Sequence, residues 1–132
     1  VPGVEGQSET VRIRSILDRY LEHARIYIFH HDGEERMYLA SADWMKRNLS
    51  RRVEVAIPVY DPEIRRQLRA LVDTQLADDR KARIVDVDGM NEYAGAGTTG
   101  GSVRSLEAFR DFLKALADDT RAANGDAPPG GD

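Results

Sequence analysis

A histidine and an arginine stand two residues apart at His23 and Arg25, just ahead of an apolar run at 26–29. In an extended chain, side chains two residues apart project to the same face. An imidazole can exchange a proton or attack phosphorus, and a guanidinium neutralises phosphoryl oxygens. The pair therefore predicts a phosphate site, although a His-x-Arg spacing by itself is common.

The two other histidines, His30 and His31, precede Asp32-Gly33, a turn sequence. We interpret both as solvated turn residues, with weak metal binding as the alternative. A second polar stretch runs from Ala40 to Val55 and contains the chain's single tryptophan, Trp44. By itself, this stretch is typical of a charged loop between two strands.

Apolar periodicity predicts the elements that position these residues. Strands are predicted at 10–14, 24–29, 36–40, 53–59 and 82–87, and helices at 15–21, 62–77 and 103–117. The first helix would deliver His23, and Asp61-Pro62 would cap and open the second. Residues 24–40 form a predicted hairpin, and the apolar run 53–59 predicts burial on both faces.

The alternation of strands and helices predicts an α/β fold with a central sheet of about five strands covered by helices. We assign Trp44 and Tyr38 to the core rather than to a stacking site. The outer face of the 62–77 helix carries three arginines, which are either solvated or in contact with another domain or subunit. These are Arg65, Arg66 and Arg69.

Length and composition favour a single domain of 132 residues with 41% hydrophobic content. Because the net charge is −4, a general nucleic-acid coat or polybasic membrane anchor is not expected. The absence of cysteine excludes disulfides and thiol nucleophiles and fits a reducing compartment. No run is apolar enough to span a membrane. We expect a cytosolic piece of a longer protein, with a glycine-rich loop at 95–101 and a disordered tail at 124–132.

Several segments together resemble the last domain of the polyphosphate kinases of the first family. They are Arg19-Tyr20-Leu21-Glu22-His23-Ala24-Arg25-Ile26-Tyr27, Ser41-Ala42-Asp43-Trp44-Met45, Arg47-Asn48 and Arg52-Val53-Glu54-Val55. Val1-Pro2-Gly3-Val4 and Lys81-Ala82-Arg83 are similar too, so the resemblance covers residues 1 to about 88.

The resemblance implies a partial phospholipase D-like αβα sandwich over residues 1–123, with a central mixed sheet flanked by helices. That superfamily carries His-x-Lys, Gly-Ser-x-Asn and a later acidic residue. Here Arg25 replaces the lysine, Ala40-Ser41-Ala42-Asp43 stands at the second motif, and Glu54 falls at the acid. His30 occupies the place of an aspartate that follows the lysine, which disfavours a phosphodiesterase.

By resemblance, the function is reversible transfer of the terminal phosphoryl group of ATP to inorganic polyphosphate through a phosphohistidine in a preceding domain. His23 would be the second site histidine and assist proton transfer, and Glu54 would hold a catalytic imidazole in its tautomer. Arg25, Arg52 and Arg47 would bind phosphate oxygens of ATP or polyphosphate. Lys46, Arg47 and Arg51 either line a tunnel for the product or belong to a solvated loop.

Mg²⁺ would accompany ATP, with no convincing ligand set in this chain. The expected partners are ATP or ADP, polyphosphate and the remaining domains of the same enzyme, without nucleic acid. The intact enzyme would be a cytoplasmic homo-oligomer with membrane association as a further option. The alternatives are a phospholipase D-like phosphodiesterase or nuclease half-site and a non-catalytic binding module, and we expect the chain alone to be inactive.

Overall fold

The computed structural model describes residues 1–95 and 102–125, which form the predicted α/β fold. The strands are β1 (Ile13–Ile16), β2 (Ile26–Phe29), β3 (Arg36–Ala40), β4 (Ala56–Pro58) and β5 (Ala82–Val85). The α-helices are α1 (Lys46–Arg51), α2 (Pro62–Ala77) and α3 (Ser105–Asn124). The loop predicted at 95–101 and the tail predicted at 124–132 lie mostly outside the described residues.

The chain divides into two compact units. The terminal unit comprises Val1–Arg19 and Leu71–Asp132, and the middle unit comprises Tyr20–Ala70. The described strands form two separate sheets, β1-β5 and β2-β3-β4, and every pairing in them is antiparallel. The prediction of one central mixed sheet is therefore wrong for the described residues. The physical reason is that β5, the strand after α2, pairs with β1 rather than extending the sheet of β4.

The middle unit begins with the predicted hairpin, in which β2 and β3 pair from Ile26↔Leu39 to Phe29↔Arg36. A 3₁₀ turn at His31–Gly33 connects the strands, and His31, Asp32 and Gly33 all have positive φ. Asp32 tolerates this backbone because its short side chain suits the left-handed region, and Gly33 has no Cβ to oppose it. The Asp32-Gly33 sequence was therefore a sound turn signal.

The strand predicted at 53–59 differs from its prediction. Only Ala56–Pro58 forms β4, all three of its residues are exposed, and Val53 is 98% exposed. The expected burial on both faces is wrong because, among the described strands, β4 lies at the edge of its sheet and pairs with β3. Its valine-rich lead-in is left outside the small core, whose fully buried hydrophobic residue in the middle unit is Met37.

Helix α2 has the predicted bounds, and its first turn explains why. The Asp61 side chain accepts hydrogen bonds from the backbone N–H groups of Glu63 and Ile64, at 2.9 and 3.0 Å. These bonds satisfy amides that have no partner inside the helix, while Pro62 has no N–H to satisfy. The arginines of this helix are not all solvated, since Arg69 forms an ion pair with Glu35 at 2.6 Å.

The terminal unit places β1 at 13–16, where the sequence pattern predicted a strand ending at 14 and then a helix. The predicted helix at 15–21 is wrong. Ser15 and Ile16 instead pair with Arg83 and Ala82 of β5, and that ladder overrides the weak helical spacing of the apolar residues. His23 consequently follows a segment without regular structure rather than a helix.

A buried carboxylate organises the terminal unit. The Asp78 side chain is fully buried and accepts backbone hydrogen bonds from Arg80, Lys81, Ala82 and Ser105 at 2.6 to 3.0 Å. Burial by itself raises the pKa of Asp78, but the hydrogen bonds from Ser105, Lys81 and Ala82 outweigh it and leave the pKa lowered. One charged side chain thus joins the start of β5 to the start of α3.

Arg104 ties the residue before α3 to the loop after β1. Its Nε and Nη2 donate to the two carboxylate oxygens of Asp18 at 2.8 and 2.6 Å, and its Nη1 donates to Glu107 at 2.6 Å. The hydrogen bonds from Arg104 hold the pKa of Asp18 far below its usual range. Every nitrogen of this guanidinium has a carboxylate partner.

Candidate phosphate-binding site

Sheet topology brings three separate sequence segments to one edge of the middle unit. Because β2, β3 and β4 are antiparallel neighbours, the start of β2, the end of β3 and the start of β4 meet at the same end of the sheet. Two backbone hydrogen bonds extend the ladder there, from Ala40 to the Arg25 carbonyl and from Ser41 to the Val55 carbonyl, both at 2.9 Å. The predicted site residues come from these three segments.

Arg25 and Asp43 form the central ion pair of this edge. The Arg25 Nε donates to Asp43 Oδ1 at 2.8 Å, and the side chains are 23% and 36% exposed. This hydrogen bond lowers the pKa of Asp43 and raises the pKa of Arg25. Coulombic interactions with His23 and Arg47 lower the pKa of Asp43 further, so both lie within electrostatic reach of that carboxylate.

Ser41 and Glu54 form the second polar pair. The Ser41 hydroxyl donates to Glu54 Oε2 at 2.5 Å and accepts the Val55 backbone N–H at 3.0 Å. The charge of Glu54 also raises the pKa of Arg25, which places the carboxylate near the guanidinium. Glu54 therefore contacts a serine here, and its predicted role of orienting an imidazole stays a prediction.

Helix α1 supplies a buried amide behind the ion pair. Asn48 is only 3% exposed, and its Nδ2 lies 3.5 Å from Asp43 Oδ2. Its Oδ1 is buried and has no hydrogen-bond partner among the described residues. A buried amide oxygen without a partner is uncommon and costly.

The single tryptophan marks the loop between β3 and α1. Trp44 Nε1 donates to the Tyr27 hydroxyl at 2.6 Å, and the two ring centroids are 6.1 Å apart. Trp44 is nevertheless 79% exposed, so its assignment to the core is wrong. The reason is that Trp44 lies in the loop after β3, at the end of the sheet, where Tyr27 is its aromatic neighbour. Tyr38, on β3, is half-buried.

The remaining predicted residues are exposed. His23 precedes β2, its carbonyl oxygen lies 3.5 Å from Arg25 Nη1, and its imidazole has no hydrogen bond to another described side chain. Arg47 lies on α1 and Arg52 directly follows it. The structure thus brings His23, Arg25 and Glu54 to one edge, with Arg47 in electrostatic reach, but gives Arg52 no contact with them among the described residues.

Ser41, Asp43 and Asn48 belong to the segments that resemble the family, but no role for them is predicted from the sequence. A usable signal was present, because residues that follow β3 must lie beside residues that precede β2 in a hairpin. Asp43, eighteen residues after Arg25, could have been placed opposite it on this argument.

Residues 1–95 and 102–125 contain no group of three histidine, aspartate or glutamate side chains arranged to hold a metal ion. None of the helices in the same ranges has both the length and the hydropathy that crossing a bilayer requires.

Together, the fold and this edge define an α/β domain with an exposed histidine, a fixed arginine and further basic residues, as in proteins that handle phosphate groups. A family model described as "Polyphosphate kinase C-terminal domain 2" matches residues 1–105. The chain belongs to the polyphosphate kinase family, as a C-terminal domain. This membership supports the kinase resemblance over the phosphodiesterase alternative.

Individual relatives support the same family assignment. The chain is 44% identical over 126 residues to a polyphosphate kinase of Vibrio parahaemolyticus and 42% identical over 116 residues to that of Escherichia coli K12. These alignments cover 96% and 88% of this chain but only 18% and 17% of the relatives. The crystal structure of polyphosphate kinase from Porphyromonas gingivalis superposes with a TM-score of 0.80 at 40% identity, covering 86% of this chain and 17% of that one. The chain therefore spans less than a fifth of the length of these proteins.

Proposed function

We propose that this chain supplies one half of the phosphoryl-transfer site of an ATP:polyphosphate phosphotransferase. The observation that carries the proposal is the meeting of His23, Arg25, Asp43 and Glu54 at one sheet edge in a polyphosphate kinase domain. The other half of the site, with the histidine that becomes phosphorylated, would lie in a part of the enzyme outside this chain. The finer fold description, a partial phospholipase D-like αβα sandwich, belongs to the same proposal.

The roles follow from the chemistry of the side chains. The outside histidine attacks the terminal phosphorus of ATP, the bond to the ADP oxygen breaks, and the phosphohistidine then passes its phosphoryl group to the end of a polyphosphate chain. His23 would exchange the proton at the leaving or accepting oxygen, because its exposed imidazole has no hydrogen bond to another described side chain. The reverse sequence would regenerate ATP from ADP.

Arg25 is the strongest candidate for binding phosphate oxygens. Its pKa is raised, so it stays charged at any working pH, and it is held next to the His23 backbone. Arg47 supplies further positive charge near Asp43, and Arg52 is proposed to reach the substrate from the end of α1. Positive charge fixed in this way stabilises the charge that develops during phosphoryl transfer.

Magnesium is expected to enter with the nucleotide. The described residues offer no cluster of three suitable side chains. We propose that the ligands of the ion are the ATP phosphates and residues outside this chain. The intact enzyme is proposed to be a cytoplasmic homo-oligomer in which this domain works with the remaining domains.

The test compares His23→Ala with the unmodified full-length kinase, using ATP labelled in the terminal phosphate. We expect polyphosphate synthesis to fall by roughly 10²-fold or more, in line with losing a general acid–base group. The matched control is His31→Asn, which removes an exposed turn histidine at a position of positive φ that asparagine tolerates, and it should leave synthesis unchanged. Unimpaired synthesis by His23→Ala would contradict the proposed role of this edge.

A further inference from the structure

The ion pair between Arg25 and Asp43 uses only one side of the guanidinium. A guanidinium has five N–H donors, one on Nε and two on each terminal nitrogen. Asp43 accepts from Nε at 2.8 Å. The Nη1 atom has only a long contact of 3.5 Å with the His23 carbonyl, and Nη2 has no hydrogen-bond partner among the described residues. The terminal edge, the one that binds phosphate in two parallel hydrogen bonds, stays available.

Asp43 has a buried amide on the side away from Arg25. Its Oδ1 accepts from Arg25, and its Oδ2 faces the Nδ2 of the buried Asn48 at 3.5 Å. Asn48 also anchors α1 to the loop, because its backbone N–H donates to the Met45 carbonyl at 2.9 Å. The carboxylate therefore has one oxygen hydrogen-bonded to the arginine and the other in long contact with a buried amide.

We propose that Asp43 is a positioning residue that fixes Arg25 through Nε and thereby directs its terminal nitrogens at a phosphoryl group of the substrate. Asn48 fixes Asp43 in turn. This inference rests on the proposed phosphotransferase function, and it assigns separate roles to the residues of the site. Arg25 touches the substrate, and Asp43 and Asn48 act only through Arg25.

The proposal explains why an arginine, and not a lysine, suits position 25. A lysine ammonium is a point charge on a flexible stem, without the planar fork of arginine. Beside Asp43 the ammonium would pair with the carboxylate, and this ion pair would leave less positive charge for binding a phosphate. An arginine gives one N–H to Asp43 and keeps four others in a fixed plane. The two residues therefore form a matched pair.

A double-mutant cycle in the full-length kinase tests this pairing. The variants are Arg25→Lys, Asp43→Asn and the double variant, with kcat and KM measured for ATP in polyphosphate synthesis. We expect Arg25→Lys to lower kcat/KM by roughly 10²-fold because Asp43 captures the ammonium. Asp43→Asn, which keeps the shape and can still accept from Nε, should cost about tenfold, mainly as a higher KM.

The double variant gives the decisive result. Once the carboxylate is gone, the lysine can face the phosphate, so its kcat/KM should lie above that of Arg25→Lys alone. If Asp43 merely stabilised the loop, the two losses would multiply to about 10³-fold. A multiplied loss would overturn the proposal, and so would an Asp43→Asn enzyme with unchanged KM.

Matched controls separate folding from function. Arg66→Lys and Glu63→Gln make the same chemical changes in an exposed pair on α2, at 2.7 Å, and should leave kcat and KM unaltered. His23→Ala in the same assay distinguishes the two levels of inference. If it abolishes synthesis while the cycle is multiplicative, the positioning role fails and the proposed function stands. If it retains full synthesis, the proposed function fails first.

Discussion

Two arginines of this chain have nearly the same exposure and very different surroundings. The Arg104 side chain is 22% exposed and that of Arg25 is 23% exposed. Arg104, in the terminal unit, gives all three of its nitrogens to the carboxylates of Asp18 and Glu107. Arg25, in the middle unit, gives only Nε to a carboxylate.

The comparison teaches that burial alone does not separate a structural arginine from a functional one. What differs is the number of N–H donors that the protein already uses. Each nitrogen of Arg104 already donates to a carboxylate, which leaves one N–H on each terminal nitrogen, and its role is to hold the start of α3. Arg25 is charged and fixed on one side, with its terminal edge available, which is the arrangement that a phosphate ligand needs.

The largest expected effect comes from removing each arginine in turn. In the full-length kinase, Arg25→Met should lower kcat/KM for ATP by roughly 10²- to 10³-fold, because a fixed charge at the transferring group is lost. Its amide hydrogen exchange in β2 and β3 should stay unchanged. Arg104→Met should leave kcat/KM unchanged. It should speed amide exchange at Glu107 and Ala108, whose amides donate to the Arg104 carbonyl. Similar exchange and activity profiles for both variants would contradict the distinction between a structural Arg104 and a functional Arg25.

A smaller effect is expected at the buried carboxylate of the terminal unit. Asp78→Ala leaves the amides of Lys81, Ala82 and Ser105 without their acceptor. We expect the free energy of local opening to fall by about 3 kcal/mol, which corresponds to exchange that is faster by roughly two powers of ten. Hydrogen exchange followed by mass spectrometry reports these amides directly. Wild-type protection in the variant would show that Asp78 does not organise the unit.

The smallest effect is a pH dependence at Arg104. Because the pKa of Asp18 is lowered in the folded chain, its carboxylate stabilises the fold above the ordinary aspartate pKa of about 4. That contribution is lost as the pH falls below this value toward the folded pKa. The ratio of exchange rates between Asp18→Asn and wild type, measured at Glu107 and Ala108, should therefore be largest near pH 6. It should decline toward one in acid, and a ratio that does not change with pH would contradict the assignment.

The sequence pattern predicted the elements whose signals are local. Helix α2 followed from Asp61, Pro62 and its apolar spacing, and the hairpin followed from alternation around Asp32-Gly33. The prediction failed at 15–21, where the spacing of Ile16 and Leu17 suited a helix but pairing with β5 decided the outcome. Strand partners that lie about 70 residues away along the chain, as in Ser15↔Arg83, carry no local signal.

The candidate site shows the same limit. His23, Arg25 and Glu54 were predicted from residue type and family resemblance, and they do come to one edge of a sheet. The hairpin could have placed Asp43 opposite Arg25, but the pairing of Glu54 with Ser41 depends on side-chain geometry after folding. The role of Asn48 was invisible for the same reason, since an asparagine on a short helix gives no sign that it is buried.

The most direct test of the account is an experimental structure of the full-length kinase with a non-hydrolysable ATP analogue. The account predicts phosphate oxygens about 2.7–2.9 Å from the terminal nitrogens of Arg25, as in charge-assisted hydrogen bonds, with Asp43 still on Nε. The His23 imidazole should face the same phosphoryl group. A structure in which Asp43 occupies both terminal nitrogens of Arg25, with the phosphates bound elsewhere, would contradict it.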